Sequence, residues 1–259
     1  MMSIRVNLLL LWALAVVPAL GCATVEQTPR TSDVKMAQAH EQLGTSFLNE
    51  GDYQSALGEL RKAAEFNSER AEIQNYLGLA YMGLREYHSA VSHFRRAIRL
   101  KPDYPEAQNN LGTAYANLKE WDAAIVHFDA AAKNLLYRTR HLAYENMGAV
   151  YHNKGEYGKA IDLYRRALDF APEYASAYLN MGLAYEMLQD WDRAVESYGR
   201  AAQIVPEEPL PFMQLGTLYL RLGRQEEGVE ALLAVIANDP KGPYGDGARR
   251  MIEELRKQK

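Results

Sequence analysis

Few side chains in this sequence are placed to do covalent or metal chemistry. Cys22 is the single cysteine of 259 residues, which excludes an intrachain disulfide and any multi-cysteine zinc or iron–sulfur centre. The histidines (His40, His88, His93, His127, His141, His152) include no i, i+4 pair, and no His-Glu-x-x-His run occurs, so no helix face offers two imidazoles to one metal ion. Carboxylates are numerous but fall at helix surfaces and turn starts, with no acid/base pair set apart. Gly242-Pro243-Tyr244-Gly245-Asp246-Gly247 follows no strand and ends in no Lys-Ser/Thr, so it reads as a loop and not as a phosphate cradle. These patterns point to no enzyme, no metal, no cofactor and no small-molecule substrate. What recurs is the carboxamide: Gln42, Asn110, Asn146, Asn180 and Gln214 hold one position of a repeating frame, and Tyr76 holds it in the remaining copy. An amide offers a donor and an acceptor together, which suits the backbone of an extended peptide. The same groups can also bond to one another.

The frame has a period of 34. Leu-Gly or Met-Gly recurs at Leu43-Gly44, Leu77-Gly78, Leu111-Gly112, Met147-Gly148, Met181-Gly182 and Leu215-Gly216, with glycine spacings of 34, 34, 36, 34 and 34. An aromatic follows three residues after each glycine (Phe47, Tyr81, Tyr115, Tyr151, Tyr185, Tyr219) and a small residue twelve after it (Ala56, Ala90, Ala124, Ala160, Ala194, Gly228). A large residue comes next in each copy: Leu60, Phe94, Phe128, Tyr164, Tyr198 or Leu232. Pro102, Pro172, Pro206 and Pro240 close four of the units. The physics is that of a helical hairpin, in which small residues permit close approach, large ones fill the gap, and proline stops the second helix. The pattern resembles the tetratricopeptide (TPR) repeat. The resemblance implies an all-α, right-handed α-α superhelix of six hairpins plus a C-terminal capping helix. The repeats are expected at 37–70, 71–104, 105–138, 141–174, 175–208 and 209–242, and the cap at 243–259, its helical face beginning at Ala248. Most of the 17 tyrosines, against 6 phenylalanines, fall on positions set by this frame.

The chain ends differently at its start. Residues 1–7 carry Arg5 and no acid, and Leu8–Leu20 is an apolar run too short for a bilayer-spanning helix but suited to an export signal. Ala19-Leu20-Gly21-Cys22 resembles the bacterial lipobox, with Ala19 where that family prefers leucine. This implies a signal peptide at 1–21 and a diacylglycerol thioether on Cys22, and Ala23 in place of Asp resembles the default sorting of such lipoproteins to the outer membrane, periplasmic face. Residues 22–36 are polar, contain Pro29 and lack apolar periodicity, and so are expected to form a flexible tether. The net charge of −4 argues against a nucleic-acid partner.

In TPR proteins the first helix of each hairpin lines the concave face. Groove positions here include Gln38, Glu41, Thr45, Leu48, Glu72, Asn75, Leu79, Met82, Glu106, Asn109 and Thr113 in the first half, and Leu142, Leu179, Leu183, Met187, Leu210, Met213 and Leu220 in the more apolar second half. An exposed part of that apolar set is a candidate partner site. Apart from Arg221 these columns hold no Lys or Arg, so the clamp by which some TPR domains hold a peptide C-terminus is not recognisable. Arg61-Lys62, Arg95-Arg96 and Arg165-Arg166, on second helices, read as a solvated convex face.

The one irregular spacing, between repeats 3 and 4, contains Ala131 and then Leu136-Tyr137-x-x-Arg140 ahead of Asn146-Met147-Gly148. This junction, in a six-repeat lipoprotein, resembles the PilF/PilW/Tgl family of type IV pilus biogenesis lipoproteins. The family implies a pilotin that binds secretin subunits and promotes their localisation and multimerisation. Leu136, Tyr137 and Arg140 match the junction, and Leu136 stands where four other repeats carry proline. Leu135 and Tyr137 either wedge a wider inter-repeat angle or meet a partner. A TPR adaptor for another envelope complex is the alternative function.

Overall fold

The computed structural model describes residues 31–257. The expected signal peptide, Cys22 and the first part of the expected tether lie outside the described residues. Within them the chain forms thirteen α-helices and no strand. Six hairpins follow one another: α1 (Thr31–Glu50) with α2 (Tyr53–Phe66), α3 (Ala71–Gly83) with α4 (Tyr87–Leu100), α5 (Pro105–Asn117) with α6 (Trp121–Lys133), α7 (Arg140–Asn153) with α8 (Tyr157–Phe170), α9 (Ala175–Met187) with α10 (Trp191–Ile204), and α11 (Pro209–Arg221) with α12 (Gln225–Asn238). The last helix, α13 (Pro243–Lys257), packs on α12 and touches α11. Consecutive helices pack pairwise along the whole series, the arrangement of a TPR superhelix.

The hairpins close through the columns the sequence marks. Leu60, Phe94, Phe128, Tyr164, Tyr198 and Leu232 are all buried. Each faces the glycine of its own hairpin: a methyl group added at Gly44 would lie 2.6 Å from Leu60, and one at Gly112 would lie 2.7 Å from Phe128. The turn between helices is equally regular. Gly51, Arg85, Lys119, Gly155, Gln189 and Gly223 all have positive φ, and the next backbone N–H donates back to the aromatic position, as in Glu86 N to Tyr81 O at 2.8 Å. The recurring acid therefore ends one helix and starts the next. Where it is aspartate, its carboxylate caps the second helix: Asp52 accepts from Ser55 N at 3.0 Å and Asp190 from Arg193 N at 3.4 Å.

Two boundaries differ from the sequence reading. α1 starts at Thr31, so residues 31–36, expected in the tether, are helical. Extending an existing helix adds a hydrogen bond per residue without a new nucleus, and polar residues do this readily. α13 starts at Pro243, so most of the glycine-rich stretch expected as a loop is helix. Proline is favoured in the first helical turn, and the Asp239 carboxylate accepts from the free N–H groups of Tyr244 at 2.9 Å and Gly245 at 3.3 Å. Gly245 is required there because a methyl group would overlap the Asp239 carbonyl oxygen.

Tyrosine in the core has a consequence for pH. Burial pushes the phenols of Tyr104, Tyr164, Tyr174 and Tyr198 up from their ordinary value. The folded state therefore holds these protons more tightly than the unfolded chain does, so this stabilisation is intact below pH 10 and is lost as pH rises beyond it. Urea unfolding midpoints are expected to be flat between pH 8 and about pH 9.5 and to fall steeply from about pH 10. Equal midpoints at pH 9 and pH 11 would contradict this.

Candidate functional site: the groove of the first helices

The amide column is tied into the array. Asn110 donates through Nδ2 to Asn75 Oδ1 at 3.0 Å, Asn146 to Asn109 Oδ1 at 3.1 Å, and Asn180 to Glu145 Oε1 at 3.0 Å. Each amide thus bonds to the previous hairpin, one position earlier in the frame, and Asn75 and Asn109 are buried by it. Self-bonding, one of the two uses open to the amides, takes one of the two N–H donors of each. Their carbonyl oxygens accept no bond among the described residues and stay open to a ligand N–H. Gln42 is exposed and Gln214 half-buried, and neither joins the ladder.

At Tyr76 the ladder changes chemistry. Arg70, from the loop before α3, fills the gap by pairing with the buried Glu41, Nε to Oε2 at 2.9 Å. Burial pushes the Glu41 carboxyl up, against the pull of Arg70. Tyr76 itself lines a cleft of about 430 Å³ with Thr45, Leu48, Leu79 and Met82. Between repeats 4 and 5 the ladder widens into a hub, where Glu145 also accepts from Tyr174 Oη at 2.5 Å and from Ser176 Oγ. Neither Arg70 nor Glu145 stands out in the sequence, although Glu41, Asn75, Asn109 and Glu145 do share one frame position.

Beyond the hub the groove turns apolar. Leu183 (37% exposed), Met187 (55%) and Leu210 (36%) project from α9 and α11, with Leu142 and Leu179 half-buried beside them. Met213 reaches the cap at Gly247, and Leu220 packs over Gly228 of α12, both joining the core that α12 and α13 share. Glu186 closes this end, accepting from Tyr198 Oη at 2.6 Å and Arg221 Nη1 at 2.5 Å.

Sequence comparison bears directly on this architecture. Tetratricopeptide-repeat models match residues 41–87, 77–135, 148–189, 175–208 and 212–241. The chain belongs to the tetratricopeptide-repeat family. Among solved structures, this TPR array is similar to PilW, described as a widely conserved type IV pilus biogenesis factor, at 20% identity and a TM-score of 0.72 over 80% of this chain and 96% of that one. It is similar to PilF of Pseudomonas aeruginosa at 20% identity and a TM-score of 0.70, over 88% of this chain and all of that one. It is also similar to MamA of Desulfovibrio magneticus RS-1, at 23% identity and a TM-score of 0.57, over 66% of this chain and 95% of that one. At these identities the likeness is one of fold. No curated protein matches the chain.

The repeat models leave 136–147 unmatched, the stretch that holds the junction. There Tyr137 is buried (4% exposed) in the core of the first four hairpins, whereas Leu135 and Leu136 are exposed at 82% and 79%. Leu135 therefore sets no inter-repeat angle, because the two extra residues carry it outside the hairpin interface. Arg140 lies 4.3 Å from the Phe170 ring centre.

Other polar residues of the TPR array hold it together. His93 and His127 each meet a glutamine of their own hairpin, Gln74 at 2.9 Å and Gln108 at 2.8 Å, and stack on Tyr81 and Tyr115. His40 pairs with Glu59 at 2.7 Å in the same geometry. Burial holds His93 and His127 below the ordinary imidazole range. The first arginine of each basic pair is exposed, as expected, and also packs on the repeat tyrosine of the next hairpin: Arg61 and Arg165 donate to Tyr81 Oη at 2.7 Å and Tyr185 Oη at 2.8 Å, and Arg95 lies over Tyr115. A planar guanidinium covers an aromatic face better than water does. No group of His, Cys, Asp and Glu among the described residues could hold a metal ion.

Proposed function

We propose that this TPR protein is a pilotin: an outer-membrane lipoprotein, anchored through Cys22, that binds secretin subunits and promotes their localisation and multimerisation for type IV pilus biogenesis. The observation that carries this reading is the fold likeness to PilW and PilF, which takes in 80% and 88% of this chain and nearly all of theirs. The junction Leu136-Tyr137-x-x-Arg140 and the lipobox-like Ala19-Leu20-Gly21-Cys22 support it from the sequence side.

The groove supplies a mechanism. An extended secretin segment lies along the first helices, its backbone N–H groups meeting the free amide oxygens of Asn110, Asn146 and Asn180, and its apolar side chains covering Leu183, Met187 and Leu210. Burying the exposed part of each of these three side chains contributes on the order of 1 kcal/mol. Holding the segment in this way keeps unpaired secretin strand edges from pairing with each other before the ring is built.

Deleting the gene is expected to remove secretin multimers from the outer membrane and pili from the cell surface, with secretin monomer still made. Restoration by the unaltered gene but not by a Leu183→Asp, Met187→Asp double variant would place binding in the apolar half of the groove. Normal multimers in the deletion strain would overturn the reading.

A further inference from the structure

Every hairpin reverses the chain, so the N-termini of α1, α3, α5, α7, α9, α11 and α13 share one edge of the array with the loops that join hairpins. The turns within hairpins lie on the opposite edge. Five of the joining loops carry an acid: Glu69, Asp103, Glu173, Glu207 with Glu208, and Asp239. The loop between α6 and α7, Asn134-Leu135-Leu136-Tyr137-Arg138-Thr139, carries none.

That loop is also apolar at its tip. Leu135 and Leu136 are more exposed than any other large apolar side chain among the described residues. The backbone beneath them is fixed: Tyr137 is buried, and the Asn134 side chain accepts from Leu136 N at 2.8 Å while donating to Asp103. Beside them, Arg138 is exposed and Arg140 rests on the ring of Phe170, itself 43% exposed. Lys133 is paired with Asp129, but neither arginine makes an ion pair among the described residues. A rigid pair of leucines flanked by two guanidinium groups without carboxylate partners among the described residues fits a surface that is anionic at its face and apolar just below, which is the headgroup region of an anionic bilayer.

Chain geometry brings that surface within reach. α1 enters at this same edge, and the nine residues from Cys22 to Thr31 span at most about 30 Å. We propose that Leu135 and Leu136, with Arg138 and Arg140, form a second membrane contact that seats this one loop in an anionic lipid surface, while the acids of the other five joining loops hold the rest of the edge away from it. The location of the bilayer rests on the Cys22 anchor proposed above; the affinity of the loop for lipid does not.

The test uses the full chain purified from membranes, carrying Leu136→Cys labelled with an environment-sensitive fluorophore and reconstituted into vesicles of phosphatidylethanolamine and phosphatidylglycerol. The labelled unsubstituted chain gives the background. The emission at position 136 is expected to shift to the blue and to fall about twofold with lipid-borne quenchers. The same label on Leu188→Cys, 50% exposed on the opposite edge, is expected to keep its aqueous spectrum. An aqueous spectrum at 136 in vesicles that carry the protein, equal responses at both positions, or a blue shift that needs added membrane protein would each overturn the inference, the last by assigning the loop to a protein partner. The mass of the N-terminal peptide reports separately on Cys22. Lipidated Cys22 with an aqueous label refutes the second contact alone, and unmodified Cys22 with a shifted label refutes the anchor alone.

Discussion

Gly182→Ala is expected to destabilise the protein by about 3 kcal/mol, although it adds a single methyl group. The new Cβ would lie 2.6 Å from Cδ1 and 2.8 Å from Cζ of the buried Tyr198 ring, inside van der Waals contact. Forcing such a ring aside costs about 1–3 kcal/mol. Moving it also breaks the bond from Tyr198 Oη to the Glu186 carboxylate, a charge-assisted bond of about 1.5–3 kcal/mol. The gain in helix propensity returns about 1 kcal/mol. Gly199→Ala, seventeen residues on in α10, is the matched control: nothing lies within 4 Å of its added methyl group, and a stabilisation of about 0.5–1 kcal/mol is expected. Urea unfolding of both variants checks the pair. Because each hairpin contacts only its neighbours, the Gly182 variant should also split or broaden the transition, the C-terminal hairpins opening first. A loss below about 0.5 kcal/mol, within the range of an ordinary surface substitution, would mean that the ring relocates freely.

Glu145→Ala is expected to cost about 2–4 kcal/mol, far more than an ordinary groove residue would. Its carboxylate accepts from Tyr174 Oη, Ser176 Oγ and Asn180 Nδ2, all in the following hairpin region, and removing it leaves all three donors without their partner. Glu145→Gln keeps one oxygen and should lose about half as much. Amide hydrogen exchange is the decisive readout, since protection should fall across α7 to α10 and persist in α1 to α4. Uniform loss of protection would mean that the hub braces the whole array rather than one junction.

The contrast between these two sites shows what could be read without coordinates. Gly182 and Tyr198 sit in columns that repeat six times, so their partnership follows from the period alone. Glu145 occurs once as a hub: its donors lie 29 to 35 residues away, and only the packing of α7 against α9 brings them to it. The junction was legible as an irregularity, but not which of its apolar residues would be buried, because two extra residues change the phase of the backbone and burial follows phase. The glycine-rich stretch before Ala248 misleads for a related reason. Glycine content argues for a loop, and the Asp239 carboxylate that organises α13 around it acts through backbone N–H groups, which every sequence possesses.

The polar pairs inside the hairpins divide the array mechanically. His40 with Glu59, Gln74 with His93 and Gln108 with His127 cross-tie the two helices of each of the first three hairpins. The equivalent positions of the last three are Tyr144 with Leu163, Tyr178 with Ser197 and Phe212 with Ala231, which offer contact without a directional bond. A directional bond resists sliding and rotation of one helix on the other, whereas apolar contact permits small shear at little cost. The fifth hairpin has its tie elsewhere, from Tyr198 Oη in α10 to Glu186 in α9, so only the fourth and sixth hairpins lack such a bond among the described residues. Small shear is therefore least opposed around Leu210 in α11, whereas Leu183 and Met187 share α9 with Glu186 and are held by it.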